Sequence, residues 1–269
     1  MTTATTTSPT PLSPADLEAL RDRAAKLRLN GVLAHWDEYG AAPWLKLVVE
    51  HEEEERARRS LERRIRNAKL GRFKLLADFD WAWPKKIDRE AIEELFNFAF
   101  LGEGGNVVVV GPNGVGKTTI SQNLVHQAVL RGHTARLVTA SEMLNELAQQ
   151  DSPTALARRL HRYSQPHLLA VDEVGYLSYD TRHADLLFEV VSRRQQKSTV
   201  ITTNRPFKEW NEVFPNASCV VALVDRLIHK AEVVEIEGDS YRLKEAKERE
   251  ARRTSERASR RAAKTTTKR

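Results

Sequence analysis

The spacing of apolar residues changes along the chain and marks regions of different structure. From Ala15 the apolar residues recur every three or four positions, which predicts a helix. The positions that set this spacing are Leu17, Leu20, Ala24 and Leu27. The Asn30-Gly31 pair predicts a break, and the charged segment 48–71, with its glutamates before its arginines, suits a second helix and its dipole. We therefore expect a small helical domain over residues 15–71.

Beyond residue 88, helical spacing alternates with short β-branched runs. The predicted strands lie at residues 107–110, 136–139, 168–171, 199–202 and 233–236. The predicted helices lie at residues 89–100, 118–131, 143–163 (more than one helix), 184–194 and 221–230. Strands separated by helices of roughly 10 to 15 residues are typical of a parallel sheet covered on both faces. We therefore expect an α/β domain with a five-stranded parallel sheet over residues 89–243.

Composition distinguishes three further segments. Residues 1–14 are rich in Thr, Ser and Pro, which predicts a flexible leader. Residues 72–88 contain the aromatic-rich run FKLLADFDWAWP, which we interpret as a linker strap packed on the α/β domain. Residues 244–269 hold eleven Lys or Arg against four Glu, so this tail accounts for the whole net charge of +6. We expect a disordered tail or a frayed helix, which either contacts phosphate backbones or only aids solubility.

The expected compartment follows from what the sequence lacks. No stretch reaches the roughly 18 to 20 uncharged apolar residues that a membrane span needs, and the N-terminus has no apolar core of a signal peptide. The one cysteine, Cys219, allows no internal disulfide and fits a reducing compartment. We therefore expect a soluble, cytoplasmic protein that has no membrane partner and in which Cys219 is a small buried residue.

The strongest motif is a phosphate-binding loop. Residues 111–118, GPNGVGKT, match the pattern G-x-x-x-x-G-K-[ST] and follow the apolar run NVVVV. The glycines let backbone N–H groups face the phosphates, Lys117 reaches the β and γ oxygens, and Thr118 offers a hydroxyl to Mg²⁺. We therefore expect ATP and Mg²⁺ as ligands. The residues assigned to nucleotide binding are Gly111, Pro112, Asn113, Gly114, Val115, Gly116, Lys117, Thr118 and Thr119.

A second element of such a site should lie at the carboxyl end of another buried strand, where an acid can meet the metal. The apolar run 168–171 ends in Asp172 and Glu173. We assign Asp172 to Mg²⁺ and Glu173 to polarising the water that attacks the γ-phosphate. After the next strand, Asn204 either helps to orient that water or begins a turn before Pro206. The paired acids favour hydrolysis over transfer to a small-molecule acceptor.

Two arginines are candidates for neutralising charge on the γ-phosphate. Arg226 lies in an amphipathic segment, and Arg242 follows the final strand. One of them would act from a neighbouring subunit as an arginine finger and the other within its own subunit. Each also suits an ordinary surface salt bridge, because composition alone does not separate the two roles.

The strings GPNGVGKTT, LLAVDEVGYLS, STVITTNRPFKEW and ALVDRLIHKAEVVEIEGDSYRL together resemble the IstB-like helper ATPases of insertion sequences, relatives of the DnaC helicase loader and of DnaA in the AAA+ class. The resemblance runs from about residue 27 to residue 243. It implies an AAA+ P-loop ATPase domain with Asn204 as sensor-1, Arg226 as the trans-acting arginine finger and Arg242 as sensor-2. The chain departs from the commonest family pattern at Thr119, where histidine is frequent, and this position should not touch the chemistry.

The resemblance also implies partners. It implies homo-oligomers on duplex DNA with ATP bound between subunits, and cooperation with a partner transposase in target selection and strand transfer. Residues 141–164 correspond in position to the helical insertion that faces nucleic acid in initiators and loaders. Its basic residues suit a phosphate track or else a solvated helix face. They are Arg158, Arg159, His161 and Arg162.

The predicted function is therefore an ATP-hydrolysing, DNA-binding helper of DNA transposition. A DnaC-like helicase loader is an alternative that uses the same site on single strands and with a replicative helicase. A non-enzymatic adaptor, in which ATP only locks an oligomer on DNA, is another, and intact Glu173 and Arg226 argue against it. The basic cluster within residues 56–69 either contacts DNA or pairs with the glutamates that precede it.

Overall fold

A computed structural model describes residues 13–177, 179–215 and 217–266. The chain divides into two compact units, residues 1–63 and residues 64–269. Residues 1–12 of the predicted leader and the last three residues of the predicted tail lie outside the described residues. Among the described residues, no helix is both long enough and apolar enough to cross a membrane.

The first unit is helical. It contains α1 (Pro14–Lys26), α2 (Asn30–Ala34), α3 (Trp36–Tyr39) and the first part of α4 (Pro43–Ala68). Helix α1 begins with a capping box, in which the Ser13 hydroxyl accepts from the Asp16 N–H at 3.2 Å and the Asp16 carboxylate accepts from the Ser13 N–H at 3.2 Å. A small core forms from Leu20, Ala24, Leu27, Leu45 and Val49.

Two sequence expectations for these helices are refined. The break lies before the Asn30-Gly31 pair rather than at it, because Arg28 has a φ of 55° and Asn30 already begins α2. Three arginines of the basic cluster pair with glutamates on α4, which supports the interpretation as a paired helix surface. The pairs are Arg56–Glu52 at 2.6 Å, Arg58–Glu55 at 2.8 Å, Arg58–Glu62 at 2.5 Å and Arg59–Glu55 at 2.6 Å.

The second unit is built on a six-stranded sheet. Its strands are β1 (Lys86–Ile87), β2 (Asn106–Val110), β3 (Ala135–Thr139), β4 (Leu168–Val174), β5 (Ser198–Thr203) and β6 (Ala231–Glu237). They lie in the order β1-β6-β2-β5-β4-β3. Strands β2 to β6 are parallel to one another and correspond to the five predicted strands, whereas β1 pairs antiparallel with β6. Strand β1 is the one that the sequence did not predict. It is two residues long and lies within the predicted linker strap, where no alternation of apolar and polar residues marks it.

Helices follow the strands as the spacing predicts. They are α5 (Arg89–Leu95), α6 (Ala99–Glu103), α7 (Lys117–Leu130), α8 (Ala140–Ala148), α9 (Pro153–Ser164), α10 (Thr181–Ser192), α11 (Trp210–Val213), α12 (Val220–Ile228) and α13 (Tyr241–Thr266). The single helix expected over residues 89–100 is two helices, because Phe98 has a φ of 61°. Short 3-10 turns lie at Leu76–Asp78 and Phe207–Glu209.

The sheet holds the core of this unit. Leu169 and Val171 of β4 belong to a large apolar cluster with residues of α8, α10 and α12. Leu168 and Ala170 alternate with them along the strand and are also fully buried, so β4 is covered on both faces. Helix α7 packs on β3, β4 and β5. The loops at the carboxyl ends of these strands therefore rest on a rigid, close-packed base.

The described part of the tail, residues 244–266, is helical, which is the second of the two expected forms rather than a disordered segment. Helix α13 runs from Tyr241 to Thr266, so it continues through residues that the sequence assigned to a tail. Its sequence, YRLKEAKEREARRTSERASRRAAKTT, is rich in Ala, Glu, Lys and Arg, which are strong helix formers. High helix propensity therefore accounts for a helix that has little apolar surface to bury.

Candidate nucleotide-binding site

The predicted phosphate-binding loop joins β2 to α7. Strand β2 ends at Val110, and α7 begins at Lys117. Gly114 has a φ of 82° and Gly116 a φ of 101°, values that side chains rarely tolerate. A Cβ on Gly116 would also lie 2.4 Å from the ring of Phe79. Glycine is therefore required at Gly116 by both the backbone conformation and the space available.

Lys117 lies at the first position of α7 and is only 4% exposed. Its Nζ donates to the carbonyl oxygens of Gly111 at 2.6 Å and Pro112 at 2.8 Å, and to the Tyr176 hydroxyl at 3.2 Å. Burial lowers the pKa of Lys117 to about 8, although the carboxylates of Asp172 and Glu173 oppose this shift. The ammonium group is thus held by neutral oxygens, and an anion bound beside it would be strongly stabilised by its charge.

The two predicted acids lie on a β-bulge near the end of β4. Val171 pairs with Ile201 and Val174 with Thr203, so β4 has one more residue than β5 over this interval. Glu173 has a φ of 63°, a conformation that costs a non-glycine residue of the order of 1 kcal/mol. Strain of this kind is typical of functional sites, because the surrounding structure must hold it.

Thr202 of β5 stabilises the bulge. Its hydroxyl donates a short hydrogen bond to Oδ1 of Asp172 and accepts the N–H of Glu173 at 2.9 Å. Asp172 is 4% exposed, so its carboxylate is held in one orientation within a buried setting. The same threonine thus fixes the carboxylate of Asp172 and the backbone of Glu173. Because Thr202 lies within a strand of ordinary β-branched residues, no sequence signal marked it.

Asn204 follows β5 and lies beside these acids. The N–H of Gly111 donates to the Thr203 carbonyl at 3.1 Å, so the residues after β5 adjoin the start of the phosphate-binding loop. A Cβ on Gly175 would lie 3.3 Å from Oδ1 of Asn204. This oxygen is buried and has no hydrogen-bond partner among the described residues. A buried acceptor of this kind fits a site that receives a water molecule or a ligand donor.

Helix α13 brings Arg242 to the same place. The N–H of Tyr241 donates to the Gly114 carbonyl at 2.9 Å, so the first turn of α13 lies on the phosphate-binding loop. Arg242 lines the cleft that Lys117 and Thr118 also line, and its charge contributes to lowering the pKa of Lys117. The structure therefore brings one of the two predicted arginines together with the loop of its own chain.

The predicted linker strap forms another wall of this cleft. We call it the nucleotide cleft and define it by residues 114–119 of the loop, Tyr176, residues 241–242 and the strap. Phe79 and Trp83 of the strap line it. The strap is attached to α13 by an ion pair between Asp80 and Lys244 at 2.9 Å and by Lys244 lying 4.4 Å above the Trp83 ring.

Arg226 is the one predicted catalytic residue that lies far from this cleft. Its carbonyl oxygen accepts from the side chain of Asn106 at 3.4 Å, and Asn106 is the first residue of β2. The phosphate-binding loop begins beyond the other end of β2, about 13 Å away at the rise of a strand. Arg226 therefore lies at the amino ends of the strands, and the nucleotide cleft lies at their carboxyl ends.

The predicted DNA-binding residues lie together on α9, but two of them are already paired. Arg159 and Arg162 both contact Oε1 of Glu146 on α8, at 2.9 and 3.1 Å. Arg158 and His161 are exposed. The pairing reduces the net positive charge of this surface, so a role in DNA binding stays a prediction.

The sequence missed two kinds of residue in the nucleotide cleft. Tyr176 contacts Lys117 within a turn after β4, and burial raises the pKa of its hydroxyl. Phe79 covers Gly116 from a segment 37 positions earlier in the chain. The clustering of aromatic residues in the strap predicted that it packs, but it gave no indication of where.

The residues present fit ATP and Mg²⁺. The loop has the positive-φ glycines that turn N–H groups toward phosphates, and Lys117 contributes a buried positive charge. The acceptor without a partner on Asn204 and the oriented carboxylate of Asp172 suit water and a hard cation. These features are chemically different from one another and lie at the carboxyl ends of the neighbouring parallel strands β2, β5 and β4.

Comparison with known proteins supports ATP binding. The family model for IstB-like ATP binding protein matches residues 18–249. The chain is 34% identical over 230 residues to an ATP-binding protein of insertion sequence IS21 from Pseudomonas aeruginosa, a match that covers 85% of this chain and 83% of that protein. It is 30% identical over 238 residues to an ATP-binding protein of insertion sequence IS5376 from Geobacillus stearothermophilus. This match covers 85% of this chain and 95% of that protein.

Among solved structures, DnaI is similar in fold. The two chains superpose with a TM-score of 0.51 at 19% identity, over 64% of this chain and 92% of DnaI. At that identity the similarity supports the fold alone, whereas the family model and the relatives extend over most of the chain. The chain therefore belongs to the IstB-like ATP-binding protein family, and its α/β domain has the AAA+ P-loop fold.

Proposed function

We propose that this chain is an ATP-hydrolysing helper of DNA transposition that oligomerises on duplex DNA and acts with a transposase. The relatives that it resembles are ATP-binding proteins of insertion sequences, which favours a role beside a transposase over one beside a replicative helicase. The observation that carries the proposal is the separation of Arg226 from the nucleotide cleft of its own chain. An ATP site of this design is completed only when a second copy supplies its arginine.

Hydrolysis follows from the residues in the nucleotide cleft and from those beside it at the ends of β4 and β5. Lys117 holds the β- and γ-phosphates, and Glu173 takes a proton from water as the water oxygen bonds to the γ-phosphorus. The bond from phosphorus to the β-phosphate oxygen breaks, which leaves ADP and inorganic phosphate. Asn204 orients the water, and Arg242 neutralises phosphate charge from within the same chain. Thr118 and Asp172 are the residues that would hold Mg²⁺, which when bound neutralises charge on the phosphates.

The strained position of Glu173 argues against an adaptor that binds ATP without hydrolysing it. Its left-handed backbone is maintained by the β-bulge and by the hydroxyl of Thr202. A site that only binds ATP needs the loop and a metal ligand, and it has no use for a second acid held in a strained conformation. Hydrolysis then limits the lifetime of the assembly on DNA.

The test mixes two variants, each of which is defective in a different half of the shared site. Arg226→Ala subunits should bind ATP normally and lose turnover on duplex DNA by a factor on the order of 10³. Glu173→Gln subunits should also bind ATP and fail to turn over, because an amide is a poor base. Mixed together, they form interfaces that pair the intact Glu173 of one with the intact Arg226 of the other, so ATPase activity should rise above that of either variant alone.

The control is Arg193→Ala, which removes an exposed arginine that pairs with Glu189 at 2.6 Å, and it should keep normal turnover. Failure of the mixture to recover activity, while both variants assemble together on DNA, would show that Arg226 does not act in trans. Stimulation of the wild-type ATPase by single-stranded but not by duplex DNA would favour a helicase loader. Capture of an integrase-type transposase from native cells, in the presence of ATP and DNA, would identify the partner.

A further inference from the structure

The guanidinium group of Arg226 makes two contacts with α10. Its Nη1 donates a short hydrogen bond to the hydroxyl oxygen of Ser192, and the group lies 4.3 Å from the centre of the Phe188 ring. The two residues are one helical turn apart, so their side chains lie on the same face of α10. The arginine therefore rests on a surface made by two residues of a neighbouring helix.

Ser192 is itself held in position. Its hydroxyl donates to the Phe188 carbonyl at 2.5 Å, so the lone pairs of the oxygen are left to accept from Arg226. Phe188 is partly buried and packs against the main apolar core of the unit. Neither contact residue is thus a mobile surface group, and both transmit the rigidity of the core to the arginine.

The backbone of Arg226 is fixed from the opposite side. Asn106 donates from Nδ2 to the carbonyl oxygens of Arg226 at 3.4 Å and Leu227 at 3.1 Å, while its Oδ1 accepts the N–H of Thr199 at 3.1 Å. The end of α12 is therefore attached to β2 and to β5. Both ends of the Arg226 side chain are restrained, at its backbone by the sheet and at its guanidinium by α10.

The restrained guanidinium still has capacity for a ligand. Arginine has five N–H donors, and the contact with Ser192 uses Nη1 alone. Arg226 is only partly buried, so part of the side chain stays accessible to solvent. Arg226 also lines an open cleft with Asp225, His229 and Lys230. A phosphate carried by another copy can therefore reach it.

We propose that Phe188 and Ser192 are positioning residues that hold Arg226 ready for the ATP of a neighbouring copy, an inference that rests on the proposed function. A free arginine loses much rotamer freedom when it is ordered. An arginine that is already ordered loses less when it meets a phosphate, so more of the interaction is available to the reaction. Neither residue touches ATP, and both act through the direction in which they hold Arg226.

The central variant is Ser192→Ala. It removes the hydroxyl that accepts from Arg226, and alanine is a strong helix former. We expect its affinity for a fluorescent ATP analogue to be unchanged and its kcat on duplex DNA to fall about tenfold, the effect of losing one charge-assisted hydrogen bond. Ser192→Thr keeps the hydroxyl and should restore most of the kcat. Phe188→Leu keeps apolar volume but removes the aromatic ring, and it should lower kcat without changing ATP affinity.

Mixing experiments separate this role from a general structural one. Ser192→Ala mixed with Glu173→Gln should recover activity, since the productive interface takes Glu173 from the first and a properly held Arg226 from the second. Ser192→Ala mixed with Arg226→Ala should not recover, because neither subunit supplies a held arginine. A thermal unfolding midpoint close to that of the wild type checks that each variant is folded.

The outcomes distinguish this inference from the proposed function. If Arg226→Ala abolishes turnover while Ser192→Ala and Phe188→Leu keep the wild-type kcat, the positioning role is wrong and the shared site stands. A Ser192→Ala defect that Glu173→Gln does not repair also contradicts the positioning role. If Arg226→Ala itself turns over normally, the shared site is wrong and the positioning role is wrong with it.

Discussion

The depressed pKa of Lys117 predicts that ATP binding weakens between pH 7 and pH 9. Burial lowers this pKa to about 8 in the protein without ligand. The β- and γ-phosphates need the charged ammonium group, so binding raises the pKa and takes up a proton. As the pH rises through 8, an increasing fraction of the protein holds a neutral amine and must first be protonated. Affinity for ATP should therefore fall with rising pH, even though the triphosphate of ATP is then fully ionised.

The size of the effect follows from the pKa. With a value of about 8, Lys117 is about 90% protonated at pH 7 and about 10% protonated at pH 9. If the bound form stays protonated over this range, the apparent Kd for ATP rises about tenfold from pH 7 to pH 9. Proton uptake per ATP bound should be about 0.5 at pH 8 and about 0.9 at pH 9.

Isothermal titration calorimetry measures both quantities, because the apparent binding enthalpy depends on the ionisation enthalpy of the buffer in proportion to the protons taken up. The control is Lys117→Arg, whose guanidinium stays charged at these pH values. Its absolute affinity can differ from that of the wild type, but the dependence of its Kd on pH should be flat. Equal wild-type Kd values at pH 7 and pH 9, or proton uptake near zero at pH 8, would show that protonation of Lys117 is not coupled to ATP binding.

Two further predictions concern stability and the tail. Arg194 is 2% exposed and donates to several backbone carbonyls. Arg194→Ala should therefore lower the free energy of unfolding, measured by chemical denaturation, by about 3 kcal/mol or more. A loss below about 1 kcal/mol would contradict this prediction. Deleting residues 247–269 leaves the Lys244 contacts intact and should reduce the salt dependence of duplex-DNA binding by a slope of about 0.9 for each phosphate that the tail neutralises. An unchanged slope would leave the tail as an aid to solubility.

The parts of the site that the sequence predicts are those defined by short, continuous segments. The loop over residues 111–118 contains its own turn, its lysine and the start of its helix, so a single string specifies it. Asp172 and Glu173 follow an apolar run near the end of β4, and parallel strands end at a common edge where such residues meet. Local patterns are sufficient here because each segment makes the geometry that its chemistry needs.

The parts that the sequence did not predict depend on contacts between distant segments. Phe79 contacts Gly116, and Lys244 binds Asp80 and lies above Trp83, across 164 and 161 positions of the chain. Nothing in the periodicity of either segment encodes such pairings. The pairing of Arg159 and Arg162 with Glu146 is also long-range, and it changes what a cluster of basic residues implies about charge.

The direction of β2 limits the kind of oligomer that could share an ATP site. Asn106 holds Arg226 at one end of the strand, and Gly111 begins the phosphate-binding loop at the other. A two-fold symmetric contact uses the same patch on both copies, so it would need both features on one surface. Because they lie at opposite ends of a strand, a copy that supplies its arginine to one neighbour presents its own nucleotide cleft to another. The proposed assembly is therefore head-to-tail, and depending on the rotation between copies it closes into a ring or extends as a helical filament along DNA.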